Sequence, residues 1–205
     1  MPDRVNGVPA PPTDSVIEFA DWDGDDLSGR VFERVAFRDV DMTEATSTGA
    51  TFVECTFRTT RFNASTHTDS AFVNCTFVNS SFFDATFSGC KFVGSMFERC
   101  SFDLMKVEGG DWSLTGLPGA ALGAASFVGV RMREADLTGA RCEGATLRDV
   151  DLAGAMLHSA NLVRADLRGS DLSTLDPLVV QLSGARVDIT QAVAIATALG
   201  LNVAP

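Results

Sequence analysis

The chain has 205 residues and a mass of 21.7 kDa, with 45% apolar and 21% charged side chains, which suits one soluble domain with a real core. Its 27 Asp and Glu against 16 Lys and Arg leave a formal charge of −11. That balance argues against direct contact with nucleic-acid phosphates or an anionic membrane surface, and points to a basic partner or to none.

No stretch of 18 apolar residues occurs, and residues 1–12 lack both the charged and apolar segments and the cleavage site of a signal peptide, so a cytoplasmic protein is expected. Residues 1–14 carry Pro2, Pro9, Pro11 and Pro12 and are expected to form a flexible tail. From 15 to 187 the chain repeats. Every fifth position from Trp22 to Leu172 is large and apolar, first mostly Phe and then mostly Leu, with only Ser47, His67 and Cys142 departing. The position two before it is small, except at Asp25, Arg30 and Met105.

A period of five belongs to neither helix nor flat strand, so the chain must turn every five residues. Gly29, Gly49, Gly89, Gly109, Gly129 and Gly169 fall in one column spaced by twenty, with Asp69 and Asp149 in its gaps. These residue types tolerate φ > 0, so the column reads as one recurrent corner and suggests four pentapeptides per coil. About eight coils at a spacing of ~4.8 Å would make a rod of roughly 40 Å. The expected fold is an all-β solenoid.

Residues 188–205 form the third unit. Asp188 with Gln191 reads as a capping box, Ile189 to Leu199 is helix-compatible, and Gly200 is placed as a C-cap. Ile189, Ala192, Val193, Ile195, Ala196 and Leu199 leave this helix apolar on nearly every face, which requires cover on more than one side. It is expected to cap the solenoid and to make a two-fold dimer interface.

Chemical motifs are few. Cys55, Cys75, Cys90 and Cys100 occupy the small inward column and Cys142 the large one, as buried filler rather than metal or redox groups. Ser47 and His67 interrupt one inward column, with Asp69 nearby, but no nucleophile elbow surrounds Ser47. A hydrogen-bonded pair inside the rod, or a local bulge of its wall, is the expectation. His158 is placed outward without a second metal ligand, and neither Lys91 nor Lys106 lies in a P-loop. No cofactor, metal site or catalytic residue is expected. Thr46/Thr48, Thr66/Thr68 and Thr86/Ser88 would align as a flat patch resembling ice-binding solenoids, although outward Thr also simply suits strands.

On four walls the outward acids are uneven. The wall carrying Trp22, Met42 and Phe62 holds Asp21, Asp23, Asp41, Glu44, Asp84, Asp103 and Glu143 against Arg61, Arg141 and Arg164, whereas the wall carrying Phe37 and Phe57 is nearly balanced. Such a face either keeps a protein soluble or meets a basic partner.

Ala165-Asp166-Leu167-Arg168-Gly169 and its neighbours resemble the A(D/N)LXX pentapeptide repeat. That resemblance implies a right-handed quadrilateral β-helix with the central residue and the residue two before it inside. More narrowly, Ser65 to Phe77, Gly94 to Phe97, Asp176-Pro177, Gly184 to Asp188, Gln191 to Ala194 and Gly200-Leu201 are similar to the Qnr-like, mycobacterial quinolone-resistance branch of that family. The likeness implies a non-enzymatic, rod-shaped homodimer that mimics duplex DNA and binds DNA gyrase, with fluoroquinolone resistance as a consequence. The acids of the Trp22 wall would then replace phosphates. A Pro-rich head and an additional N-terminal coil depart from that branch, and the long loop insertions of Qnr-type relatives are missing. The alternative is a pentapeptide-repeat scaffold for a different cytoplasmic protein.

Overall fold

The computed structural model describes residues 11–204 together with the backbone of Asp3–Arg4 and Val8–Pro9. Of the tail expected over 1–14, residues 1, 2, 5–7 and 10 lie outside the described residues. Asp3–Arg4 and Val8–Pro9 pair antiparallel. Asp14 already lies on the solenoid, its amide donating to the Arg34 carbonyl and its carboxylate paired with the Arg34 guanidinium.

From there the chain winds as a parallel β-solenoid in which each residue stacks on the one twenty positions later. Four walls result, named here by their first large residue. The Leu27 wall is the most continuous: Asp26, Thr46, Thr66, Thr86, Lys106, Ser126, Thr146, Asp166 and Arg186 bond in one unbroken parallel ladder. The Phe32 wall forms a sheet from Val31–Glu33, Thr51–Val53 and Ala71–Val73, and the Phe37 wall one from Ser15–Glu18, Val35–Arg38, Thr56–Arg58, Thr76–Val78 and Met96–Glu98. The Trp22 wall is built of turns joined by single bridges such as Asp21 to Asp41 and Arg61 to Ser81.

The residue before the large one decides between strand and turn. Where it is Thr, as at Thr46, Thr51, Thr56, Thr66, Thr76 and Thr86, a strand forms. Where it is Asp or Asn, its carboxylate or amide oxygen accepts the amide two residues on and closes a turn, as from Asp41 to Thr43, Asp111 to Ser113, Asp136 to Thr138 and Asn161 to Val163.

The corners are more uniform than the glycine column suggests. The residue two after the large one takes a left-handed φ near +50° to +80° at nearly every pentapeptide from Phe19 to Gly169, on all four walls and whatever its side chain. Glu54, Thr59 and Arg99 do so as fully as Gly129, so the expectation of a single recurrent corner is corrected to four per coil. A 90° change of direction every five residues needs that conformation, and the coil-to-coil bonds it permits outweigh a cost of roughly 1–2 kcal/mol per non-glycine corner.

Inside, the expected register holds. The large column is buried from Phe37 to Leu172, and its rings stack coil on coil: Phe37 on Phe57 and Phe52 on Phe72 each at 4.7 Å and 4°. This distance is the β-spacing itself. Parallel rings whose centroids lie 4.7 Å apart are laterally offset, the arrangement their quadrupoles favour. Met105 is buried where a small residue was expected, because its large-column neighbour is Val107 rather than Phe. One pentapeptide on, Trp112 is fully buried, and Gly110 in the small column lies so close to the Cys90 backbone that a Cβ would clash there. At the N-terminal end Asp25 and Arg30 are exposed, and the Arg30 guanidinium lies over Trp22 and Phe32 at 5.2 and 5.0 Å, closing the open end of the core.

Hydroxyl and thiol groups in the small column have a shared task. Ser95 and Ser170 each donate to the carbonyl of the large residue twenty-three positions earlier, Phe72 and Leu147, both at 2.7 Å. Cys55, Cys75, Cys90 and Cys100 make the same contact more weakly at 3.3–3.6 Å. The register slips once, beyond Leu172, where Pro177 sits and the Ser159 amide reaches Val179; it recovers at Asn161 opposite Gln181.

Candidate functional site

Two surfaces gather the residues that the sequence singles out for partners. On the Trp22 wall, Asp21, Asp23, Glu44, Asp103 and Glu143 are exposed and Asp41 and Asp84 half-buried. They are not equivalent. Asp41 pairs with Arg61, Asp84 with Lys106 across the corner at 2.8 Å, and Glu143 with Arg164. Asp41 also accepts the Thr43 amide and hydroxyl, and the Arg61 bond ahead of these holds its carboxyl down at about 2. Asp21 accepts the Asp23 amide within its turn. Among the described residues Asp21, Asp23, Glu44 and Asp103 have no ion-pair partner, so the negative field of this wall comes mainly from these four, three of them on its first two coils.

The second surface is helix α1 (Ile189–Ala198). Its capping box forms as expected, the Gln191 amide donating to Asp188 at 2.9 Å and the Asp188 amide to the Gln191 side chain at 2.8 Å. Gln191 does more than the motif foretells. Its side-chain amide donates to the carbonyls of Leu167 and Ser170 at 2.6 and 2.7 Å, fastening the helix over the last coil. Ile195 packs against the core and helps anchor the helix on its own solenoid, and Ala196 beside it is half-buried. Ile189 is 85% exposed, and Val193, Leu199, Leu201 and Val203 are each more than 40% exposed. Together with exposed Ala192 they form an apolar strip facing away from the rod.

Ser47 and His67 form the hydrogen-bonded pair expected inside the rod. Ser65 donates to the Phe62 carbonyl at 2.7 Å, so its oxygen must accept from His67 Nε2–H at 3.1 Å. His67 Nδ1 is then the acceptor for the Ser47 hydroxyl at 2.7 Å. Ser70 completes the group, 2.9 Å from Ser47 and accepting the Ala50 amide at 3.1 Å. The imidazole stacks on Phe87 at 5.0 Å in place of a phenyl ring, and burial pushes it down to about 4. Asp69 makes no hydrogen bond to His67.

None of the five cysteines is in a disulfide and four are buried; burial raises Cys90 to about 11 and Cys100 and Cys142 to about 12. Among the described residues no cluster of His, Cys, Asp or Glu has metal-binding geometry, and no helix is long and apolar enough to cross a membrane. The three Thr rungs of the Leu27 wall do align, bounded by Asp26 on one side and by Lys106 and Glu108 on the other.

A four-walled parallel coil with a five-residue inward register defines a class. A family model described as pentapeptide repeats, in eight copies, matches residues 117–152 and 135–173. The match falls on the Leu-rich stretch 117–173, where Asp often precedes the large residue. Among curated proteins no sequence matches it. Among solved structures it is similar to a trypsin-treated variant of QnrB1, a plasmid-mediated fluoroquinolone resistance protein, at 24% identity over 93% of this chain and 98% of that chain, with a TM-score of 0.51. A second trypsin-treated QnrB1 variant gives 23% identity over 93% and 99%, with a TM-score of 0.49. HetL, a pentapeptide-repeat protein involved in heterocyst differentiation regulation in the cyanobacterium Nostoc, gives 20% identity over 83% and 84%, with a TM-score of 0.45.

Proposed function

We propose that this protein is a non-enzymatic, cytoplasmic DNA mimic that binds DNA gyrase as a homodimer, a role like that of the mycobacterial quinolone-resistance protein MfpA. The observation that carries the reading is the Trp22 wall: carboxylates repeated at the coil spacing on a rigid rod, with Asp21, Asp23, Glu44 and Asp103 free of ion pairs. Lys and Arg that ordinarily meet phosphates would pair with them, and the preformed wall would limit the ordering cost of docking. QnrB1 is named for fluoroquinolone resistance, which accords with this role. The apolar strip of α1 offers the surface for joining two rods end to end, since so much exposed apolar area favours cover by a second copy.

Calorimetric titration of gyrase with the purified protein tests the reading. Binding should weaken as salt rises, because exposed ion pairs are screened. Reversing Asp23, Glu44 and Asp103 to Lys together should weaken it at least tenfold. Reversing Asp39, Glu108 and Glu134, exposed acids on the other three walls, should change it less than threefold. Val193→Glu should give monomers with an intact solenoid by sedimentation and circular dichroism. A wild type that neither binds gyrase nor alters its supercoiling would remove the gyrase role and leave a scaffold for another protein.

A further inference from the structure

One step of the Trp22 wall is open. Elsewhere along this wall, from Trp22 to Arg164, the amides of the large residue and of the corner residue donate to the next coil, Ala124 excepted. Between the coils at 99–104 and 118–124 the bonds that this pattern requires are absent: Arg99 to Pro118, Phe102 to Ala121, Leu104 to Gly123, and Ala121 back to Cys100. The other three walls stay closed over the same step, through Phe97 donating to Gly116, Lys106 paired with Ser126 and Trp112 donating to Arg131. The local cause is visible. Ala124 is the one corner between Phe19 and Gly169 without a left-handed φ, and its coil begins with Pro118. With Ala121 in the position that Asp or Asn often fills, no side chain holds the Gly123 amide in the turn.

A cavity of about 250 Å³ occupies the opening. Phe97, Phe102 and Cys100 line its inner side, and Ala120 and Ala121 its outer strand. Arg99 and Arg141 stand at its rim. Arg99 is engaged by Glu98 and Asn79, whereas Arg141 has no ion-pair partner among the described residues. Asp103 projects from this stretch but does not line the cavity. Unbonded backbone amides, an unpaired guanidinium and an aromatic floor together suit one kind of occupant: an anionic head on a flat apolar body.

We propose that this breach is a binding site for a small aromatic carboxylate, held by the Arg141 guanidinium and the unbonded amides of Phe102 and Ala121, with its ring against Phe97 and Phe102. The site lies on the Trp22 wall beside Asp103 and apart from the helix α1 surface, and its test needs no gyrase.

The probe is 2-naphthoate, titrated into the full-length protein by calorimetry, with amide hydrogen exchange followed by NMR. One equivalent should bind. The amides of Phe102, Leu104 and Ala121 should exchange fast in the free protein, and those of Phe102 and Ala121 should slow at least tenfold with the probe, while that of Phe82, bonded to Ser101, stays protected throughout. The neutral 2-naphthylmethanol should bind at least tenfold more weakly, as should 2-naphthoate to Arg141→Gln. Arg148→Glu, on the Leu27 wall, should bind as wild type. Ala124→Gly, which frees the corner to turn left-handed, should slow the three amides without ligand and weaken the probe. Absence of binding at millimolar probe, binding unchanged in Arg141→Gln, equal affinity for the neutral analogue, or protection of the three amides in the free wild type would each overturn the proposal.

Discussion

The coils between Phe32 and Trp112 and those between Leu117 and Leu172 share one backbone path but are held in different ways. In the first stretch Phe rings stack at the coil spacing and Thr precedes Phe52, Phe57, Phe77 and Phe87, and three walls carry true strands. In the second, Leu fills most of the interior, and turns are closed locally by Asp136, Asp151, Asn161, Asp166 and Asp171. Trp112 is the seam, 4.1 Å from Phe92 on one side and edge-on to Phe127 on the other. The breach opens at this seam. A pentapeptide coil can thus rest on long-range ring stacking or on short-range turn capping, and it is weakest where one gives way to the other.

The largest test of that contrast is in the core. Phe77→Ala, which breaks stacks on Phe57 and Phe97, should cost about 3–5 kcal/mol by urea denaturation. Leu137→Ala should cost about 2–3 kcal/mol, since Leu removes less buried surface and no ring stack. Equal losses would mean that stacking adds nothing to the aromatic coils.

His67 sharpens the comparison by pH. The folded protein keeps its imidazole neutral down to about 4, whereas the unfolded chain takes up a proton below roughly 6.5. The unfolded state therefore binds more protons between these values. Its contribution is fully present above about 6.5 and is lost as pH falls toward 4, by roughly 3 kcal/mol in all. Asp41 and Asp166, both held down at about 2, lose theirs only at lower pH. The slope between pH 6.5 and 4 should flatten in His67→Phe; a wild type of constant stability over that range would refute the assignment.

Exchanging the two local devices should cost less. Asp136→Thr loses the cap on the Thr138 amide, and Thr56→Asp places a charge in the ladder between Ala36 and Thr76, so each should lower stability by about 1 kcal/mol. Free interchange would show that this position does not choose between strand and turn. The smallest effect belongs to the corners: Ala64→Gly, at a φ of +54°, should raise the urea midpoint slightly, by no more than about 1 kcal/mol, and Gly129→Ala should lower it similarly, because the cost there is conformational and no atom lies within 4 Å of the added methyl.

Much of this molecule was legible in its sequence because a five-residue period is a local property. The inward columns, the outward acids, the capping box at Asp188 and the burial of Ser47 and His67 all follow from counting along the chain. The glycine column misled because glycine marks only where the left-handed corner is cheapest, not where it occurs. The tertiary structure decided what depends on residues twenty positions apart: that Arg61, Lys106 and Arg164 hold three of the seven wall acids, that Gln191 reaches Leu167 and Ser170, and that Ile195 faces its own rod. It also decided that Gly110 lies against the Cys90 backbone twenty positions earlier, and that the wall opens beside Ala124. Each of these is a relation between coils, set by the 4.8 Å rise and the space one side chain leaves for the next, and a linear period carries no record of it.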